Sequence, residues 1–134
     1  MLKLKKIYVI VSPLFYLMIL WAAAASKIEE FALCFFGLLF HEFGHIIMTY
    51  ILKEKISILY LLPFGFSCRL KNQINISKGK MLKILIAGPA TSFIVAGVAF
   101  FWTKDFAVVN FFIGLINLVP MGELDGGRIF GMIE

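Results

Sequence analysis

Histidine is nearly absent from this sequence: His41 and His45 are the only two among 134 residues. Cysteine is equally scarce. Cys34 lies in an apolar run and Cys68 in a basic loop, which gives no disulfide framework. Charged side chains make up 16% of the chain against 61% hydrophobic ones, and mean hydropathy is +0.95. Soluble domains average about 45–50% apolar residues, so an ordinary soluble domain is excluded. The net charge of +5 is not gathered on one helix or arm, which argues against a nucleic-acid partner. Residues 1–134 allow one domain, here a single membrane-embedded unit.

What the chain has in abundance is long apolar runs. After a basic leader with Lys3, Lys5 and Lys6, residues 7–25 are apolar for long enough to cross a hydrocarbon core of about 30 Å. Ala22 to Ser26 resembles a signal-peptide cleavage region, but the run exceeds the usual apolar segment of about 7–15 residues, so a retained helix is expected. A second span is expected over 28–52, with Ser26 as its cap and Glu29 and Glu30 in its first turn. Residues 56–77 are β-prone, turn at Pro63-Phe64-Gly65 and then alternate loosely. They predict a small membrane-associated β hairpin, with a free edge for an extended peptide. Further spans are expected over 81–103, kinked at Pro89, and over 106–122, ended by Pro120. Asn110 and Asn117 share a face of the last span. The expected fold is therefore an all-α polytopic membrane protein of four transmembrane helices plus the hairpin.

Basic residues orient it. With the N-terminus cytoplasmic, eleven of the thirteen lysines and arginines fall on the inner side and only Lys27 and Lys104 on the outer. This predicts a multi-pass cell-membrane protein with both termini cytoplasmic.

Both histidines belong to His41-Glu42-Phe43-Gly44-His45, within the 28–52 run. Residues four apart on an α-helix lie about 40° from each other, so both imidazoles share a face and suit one tetrahedral Zn²⁺. Glu42 lies about 60° from His45, placed to act as general base in the metalloprotease pattern. The bland alternative is a buried polar cluster that holds helices together. An ionisable group in hydrocarbon costs at least about 2.5–3.5 kcal/mol, which favours a function for three of them together.

A catalytic zinc needs a third protein ligand. Asp125, just past Pro120 and followed by Gly126 and Gly127, is the leading candidate; Glu123 and Cys34 are its rivals. The bland alternative for Asp125 is a helix-terminating turn with an N-cap aspartate.

With both segments in view, the chain resembles the site-2 protease family of intramembrane zinc metalloproteases, most closely its compact, sporulation-type branch. The resemblance rests on His41, Glu42 and His45 in one helix and on Asn117, Pro120, Leu124, Asp125, Gly126 and Gly127 in a later segment. Pro63-Phe64-Gly65 and Gly88-Pro89 add to it, and together these cover the chain from about residue 28 onward. The sequence departs from the family at Thr91 and Ser92, where Asn is frequent, and at Glu123, commonly proline or apolar.

The resemblance implies zinc held by His41, His45 and Asp125, and Glu42 as the base. It also implies a substrate that is a membrane-tethered protein or peptide, cut within or near its transmembrane segment. Asn117, Pro120 and Gly65 are candidate substrate contacts, and the bilayer and a regulatory membrane protein are further candidate partners. Two other classes compete: a non-catalytic zinc- or partner-binding membrane protein, and a small pore-forming protein. A pure binder has no need of Glu42, and a pore does not explain two histidines and an acid at metal spacing.

Overall fold

The apolar stretch 7–25 is divided into a strand and a helix. The computed structural model describes residues 8–62, 65–71 and 73–134, without the side chains of 65–69 and 73; the basic leader and the Pro63-Phe64 turn lie outside it. Strand β1, Tyr8–Val11, is rich in β-branched residues. It ends where Ser12 caps helix α1, Pro13–Ala24, by accepting a hydrogen bond from the Leu14 amide at 3.3 Å. Pro13 occupies the first helical turn, where its missing N–H costs nothing. The 12 residues of α1 reach only about 18 Å, too short to span as expected.

Helix α2 covers Ile28–Ile51, as expected, with Glu29 and Glu30 in its first turn. Ser26 does not cap it. Ser26 sits in a left-handed turn (φ 56°), and Lys27 takes the N-cap position. Strands β2, Ile56–Leu62, and β3, Gly65–Leu70, form the expected hairpin, which is antiparallel and ends at Leu70 rather than residue 77. Gly65 opens β3 opposite Leu62. The unexpected element is β1, which adds to β2 in parallel, Tyr8 opposite Ile58 and Val11 opposite Leu61. The sheet order is β1-β2-β3, with β2 central.

Helix α3, Lys78–Ala99, begins at Ser77, which accepts from the Lys80 amide, and carries Pro89 in its interior. Helix α4 spans Lys104–Asn117 and is 14 residues long, about 21 Å. It stops three residues before Pro120, because proline disfavours helical angles at the residue before it as well. Helix α5, Asp125–Ile133, follows a tight turn containing Gly122 at φ 53°. Among the described residues, α2 and α3 alone are long and apolar enough to cross a membrane by length and composition, so the expected four spanning helices are corrected to two candidate spans.

Helices α2, α3 and α4 pack mutually. α5 lies on α3, α1 on α2, and β3 against α2. Small residues bring α2 and α3 together: a Cβ on Gly44 would collide with the Ala87 carbonyl and the Thr91 hydroxyl. The core mixes polar groups with apolar ones such as Ile84 and Leu85. His41, His45, Thr49, Ser92, Asn110 and Asp125 are all buried, while Phe101 and Trp102 are 80% and 77% exposed. Polar groups inside and aromatic groups outside are what hydrocarbon surroundings favour.

Candidate metal centre

His41 and His45 stand on the buried face of α2, on consecutive turns, with their rings edge to face and 4.9 Å between centroids. His41, Glu42 and His45 each bring one potential ligand atom within 4.8 Å of the others. Asp125 comes from the first turn of α5, where a carboxylate is favoured by the helix dipole. Gly126 lets that turn fold tightly, since a Cβ there would overlap the Leu118 carbonyl.

Three donor atoms converge. Asp125 Oδ2 lies 3.0 Å from His41 Nε2 and 3.2 Å from His45 Nε2, and the two Nε2 atoms are 3.2 Å apart. The result is a nearly equilateral triangle. With metal–ligand distances of about 2.0–2.1 Å, one edge of a zinc tetrahedron measures about 3.3 Å. Two imidazoles and one carboxylate therefore fit a zinc ion at this spacing and leave its fourth position open.

The far sides of the rings are also engaged. His45 Nδ1–H donates to the Ile84 carbonyl at 2.7 Å, which leaves the Nε2 lone pair facing the triangle. Pro89 lacks an N–H and crowds the Leu85 carbonyl, so it loosens this part of α3 beside the Ile84 carbonyl. His41 Nδ1 lies 2.9 Å from Ser92 Oγ. Gly88 forms the wall opposite: a Cβ there would strike His45 Nε2 and Cε1 and press on His41 Nε2. That hollow is one a side chain would fill.

Of the sequence candidates, His41, Glu42, His45 and Asp125 gather at one point. Cys34 and Glu123 are exposed and do not join them. Asn117 donates its amide to Ile113 O of its own helix at 2.9 Å, and Pro120 is exposed. Gly88 enters the sequence reading only through the resemblance at Gly88-Pro89, and Ser92 only as a departure from the family; the contacts of both with the histidines have no counterpart there. A hydroxyl in an apolar helix, four residues after a glycine, was the available signal.

Two histidines and a glutamate on one helix, met by a carboxylate from a later segment, make the donor pattern of a metallopeptidase. The chain matches no established family profile. It is 33% identical over 119 residues to a zinc metalloprotease of Methanocaldococcus jannaschii, covering 77% of this chain and 33% of that one. It is 27% identical over 105 residues to stage IV sporulation protein FB of Bacillus subtilis, covering 71% and 36%. The chain thus spans about a third of the curated relatives it matches. The solved site-2 protease from Methanocaldococcus jannaschii superposes with a TM-score of 0.81 at 27% identity, over 99% of this chain and 69% of that one. The chain belongs to the site-2 protease family.

Proposed function

We propose that this chain is the core of an intramembrane zinc endopeptidase that cleaves a membrane-tethered protein or peptide within or near its transmembrane segment. The observation that carries the reading is the triangle of His41 Nε2, His45 Nε2 and Asp125 Oδ2, which supports these three residues as the zinc ligands. Zinc bound there would polarise a peptide carbonyl and make water more acidic. Glu42 takes a proton from the attacking water and passes it to the amide nitrogen as the C–N bond breaks, leaving a carboxylate and an amine.

The substrate must present an extended backbone, because helical carbonyls are already hydrogen-bonded. Strand β3 has no strand partner on its outer side among the described residues, and it packs against α2. We place the substrate along that edge, entering at Gly65 and passing toward Asn117 and the turn shaped by Pro120. The sheet, the α2–β2 turn and α5 share one end of the bundle. Among the described residues, eight of the ten lysines and arginines belong to that end, which we read as cytoplasmic, with both termini, in a multi-pass protein.

The test is co-expression with single-span proteins, comparing wild type with Glu42→Gln and watching for a shorter product. Cleavage by wild type alone supports the enzyme. A zinc-loaded wild type with no product from any candidate favours the non-catalytic binder.

A further inference from the structure

His41 is held from behind by Ser92, which is completely buried (0% exposed). For Nε2 to meet a cation, Nδ1 must carry the ring proton and donate it. The Ser92 oxygen is then the acceptor, and its own O–H must donate elsewhere. Thr91, its neighbour, turns its hydroxyl back to the Ala87 carbonyl at 2.8 Å. No such bond is made by Ser92 among the described residues.

A matching acceptor stands nearby. Among the described residues, one buried side-chain polar atom lacks a hydrogen-bond partner: Asn110 Oδ1. Asn110 is 0% exposed, and its Nδ2 donates to Phe106 O at 2.8 Å, which fixes the amide with Oδ1 on the other side. Its position follows from the packing. On α4, Gly114 lies against Ser92, where a Cβ would meet the Ser92 Cβ at 3.2 Å. Asn110 is one turn before Gly114 on the same face. On α2, Gly37 is one turn before His41 and lies against Asn110, where a Cβ would be 3.6 Å from Nδ2. Asn110 therefore sits one turn along α4 from the point where Ser92 packs, a Cβ spacing of about 5–6 Å, and a water between the Ser92 hydroxyl and Asn110 Oδ1 would give both a partner.

We propose that Asn110 and Ser92 are positioning residues for His41. The chain His41 Nδ1–H to Ser92 Oγ–H, through one bound water to Asn110 Oδ1, holds His41 in the tautomer that leaves Nε2 bare. Without the acceptor at the far end, the Ser92 hydroxyl is free to donate to His41 Nδ1, which puts the proton on Nε2 and blocks metal binding. The inference rests on the zinc reading above.

The test is Zn²⁺ affinity by competition with a chelator, in the full chain in detergent. Ser92→Ala and Asn110→Leu are each expected to weaken Zn²⁺ binding about 10–100-fold. The double variant should be no weaker than the weaker single, because both break one chain. Asn110→Asp, which as the neutral acid keeps both a donor for Phe106 O and an acceptor on the other side, should bind close to wild type. Ser92→Ala binding like wild type, or losses that multiply in the double variant, would overturn the inference. Should Asn110→Leu not fold, Ser92→Ala and Asn110→Asp decide: a weak Ser92→Ala beside a near-wild-type Asn110→Asp supports it, and any other pair of results overturns it. A wild type that takes no Zn²⁺, or a His41→Ala variant that binds as tightly, refutes the metal reading and takes the inference with it.

Discussion

His41 Nε2 and Asp125 Oδ2 lie 3.0 Å apart although 84 positions separate them in the chain. A contact of that span between buried ionisable groups needs a compensating gain, and a shared cation supplies one. The proposed ligand set follows from it. Purified wild type should carry one zinc per chain, and His41→Ala and Asp125→Asn should both be depleted, since a neutral amide is a poor zinc ligand. Metal analysis of the purified proteins checks this. Full zinc in Asp125→Asn would place the third ligand elsewhere.

Glu42 should separate binding from chemistry. Glu42→Gln keeps the shape and removes the basicity. Zinc content should be unchanged while cleavage falls about 10²–10⁴-fold. Residual cleavage near the wild-type rate would reject Glu42 as the base.

Gly88 should tolerate no side chain. The Cβ of Gly88→Ala would intrude on the ligand nitrogens of both histidines, at a cost of about 1–3 kcal/mol for overpacking. Zinc affinity should fall. Gly79→Ala, with nothing within 4 Å of the added Cβ, should bind like wild type. Equal zinc affinity in the two variants would show that α3 does not wall the site.

Metal removal should loosen the helix assembly. A ligand at about 100 times its Kd stabilises the folded state by about 2.7 kcal/mol. Chelation should therefore lower the Tm of wild type and leave Asp125→Asn unmoved. A wild-type Tm indifferent to chelator would mean that zinc does not bridge α2 and α5.

Topology is tested by reporter fusions at Met1 and Glu134, both expected to report from the cytoplasm. An outward signal from either end would contradict the orientation drawn from the basic residues.

Local patterns were legible because their physics is local. His41 and His45 share a face by helical spacing alone, and Glu42 falls beside them whatever the rest of the chain does. The hairpin over β2 and β3 and the long helices α2 and α3 were readable from β-propensity and apolar length. The break at Ser12-Pro13 was also written in the chain, as a cap followed by a first-turn proline. An apolar run does not by itself distinguish strand from helix, however, and Tyr8–Val11 became a strand because β2 was there to pair with it. Asp125 was one of three candidates for the triangle until α5 packed on α3 beside the α2 histidines and left Glu123 and Cys34 outside. Ser92 behind His41, Ile84 behind His45 and Gly88 against both have no signature in spacing, because each contact joins two helices whose relative depth and rotation are set by packing. The sequence alone determined which side chains could hold a metal. The tertiary structure decided which of them meet, because only packing brings residues far apart in the chain within bonding distance.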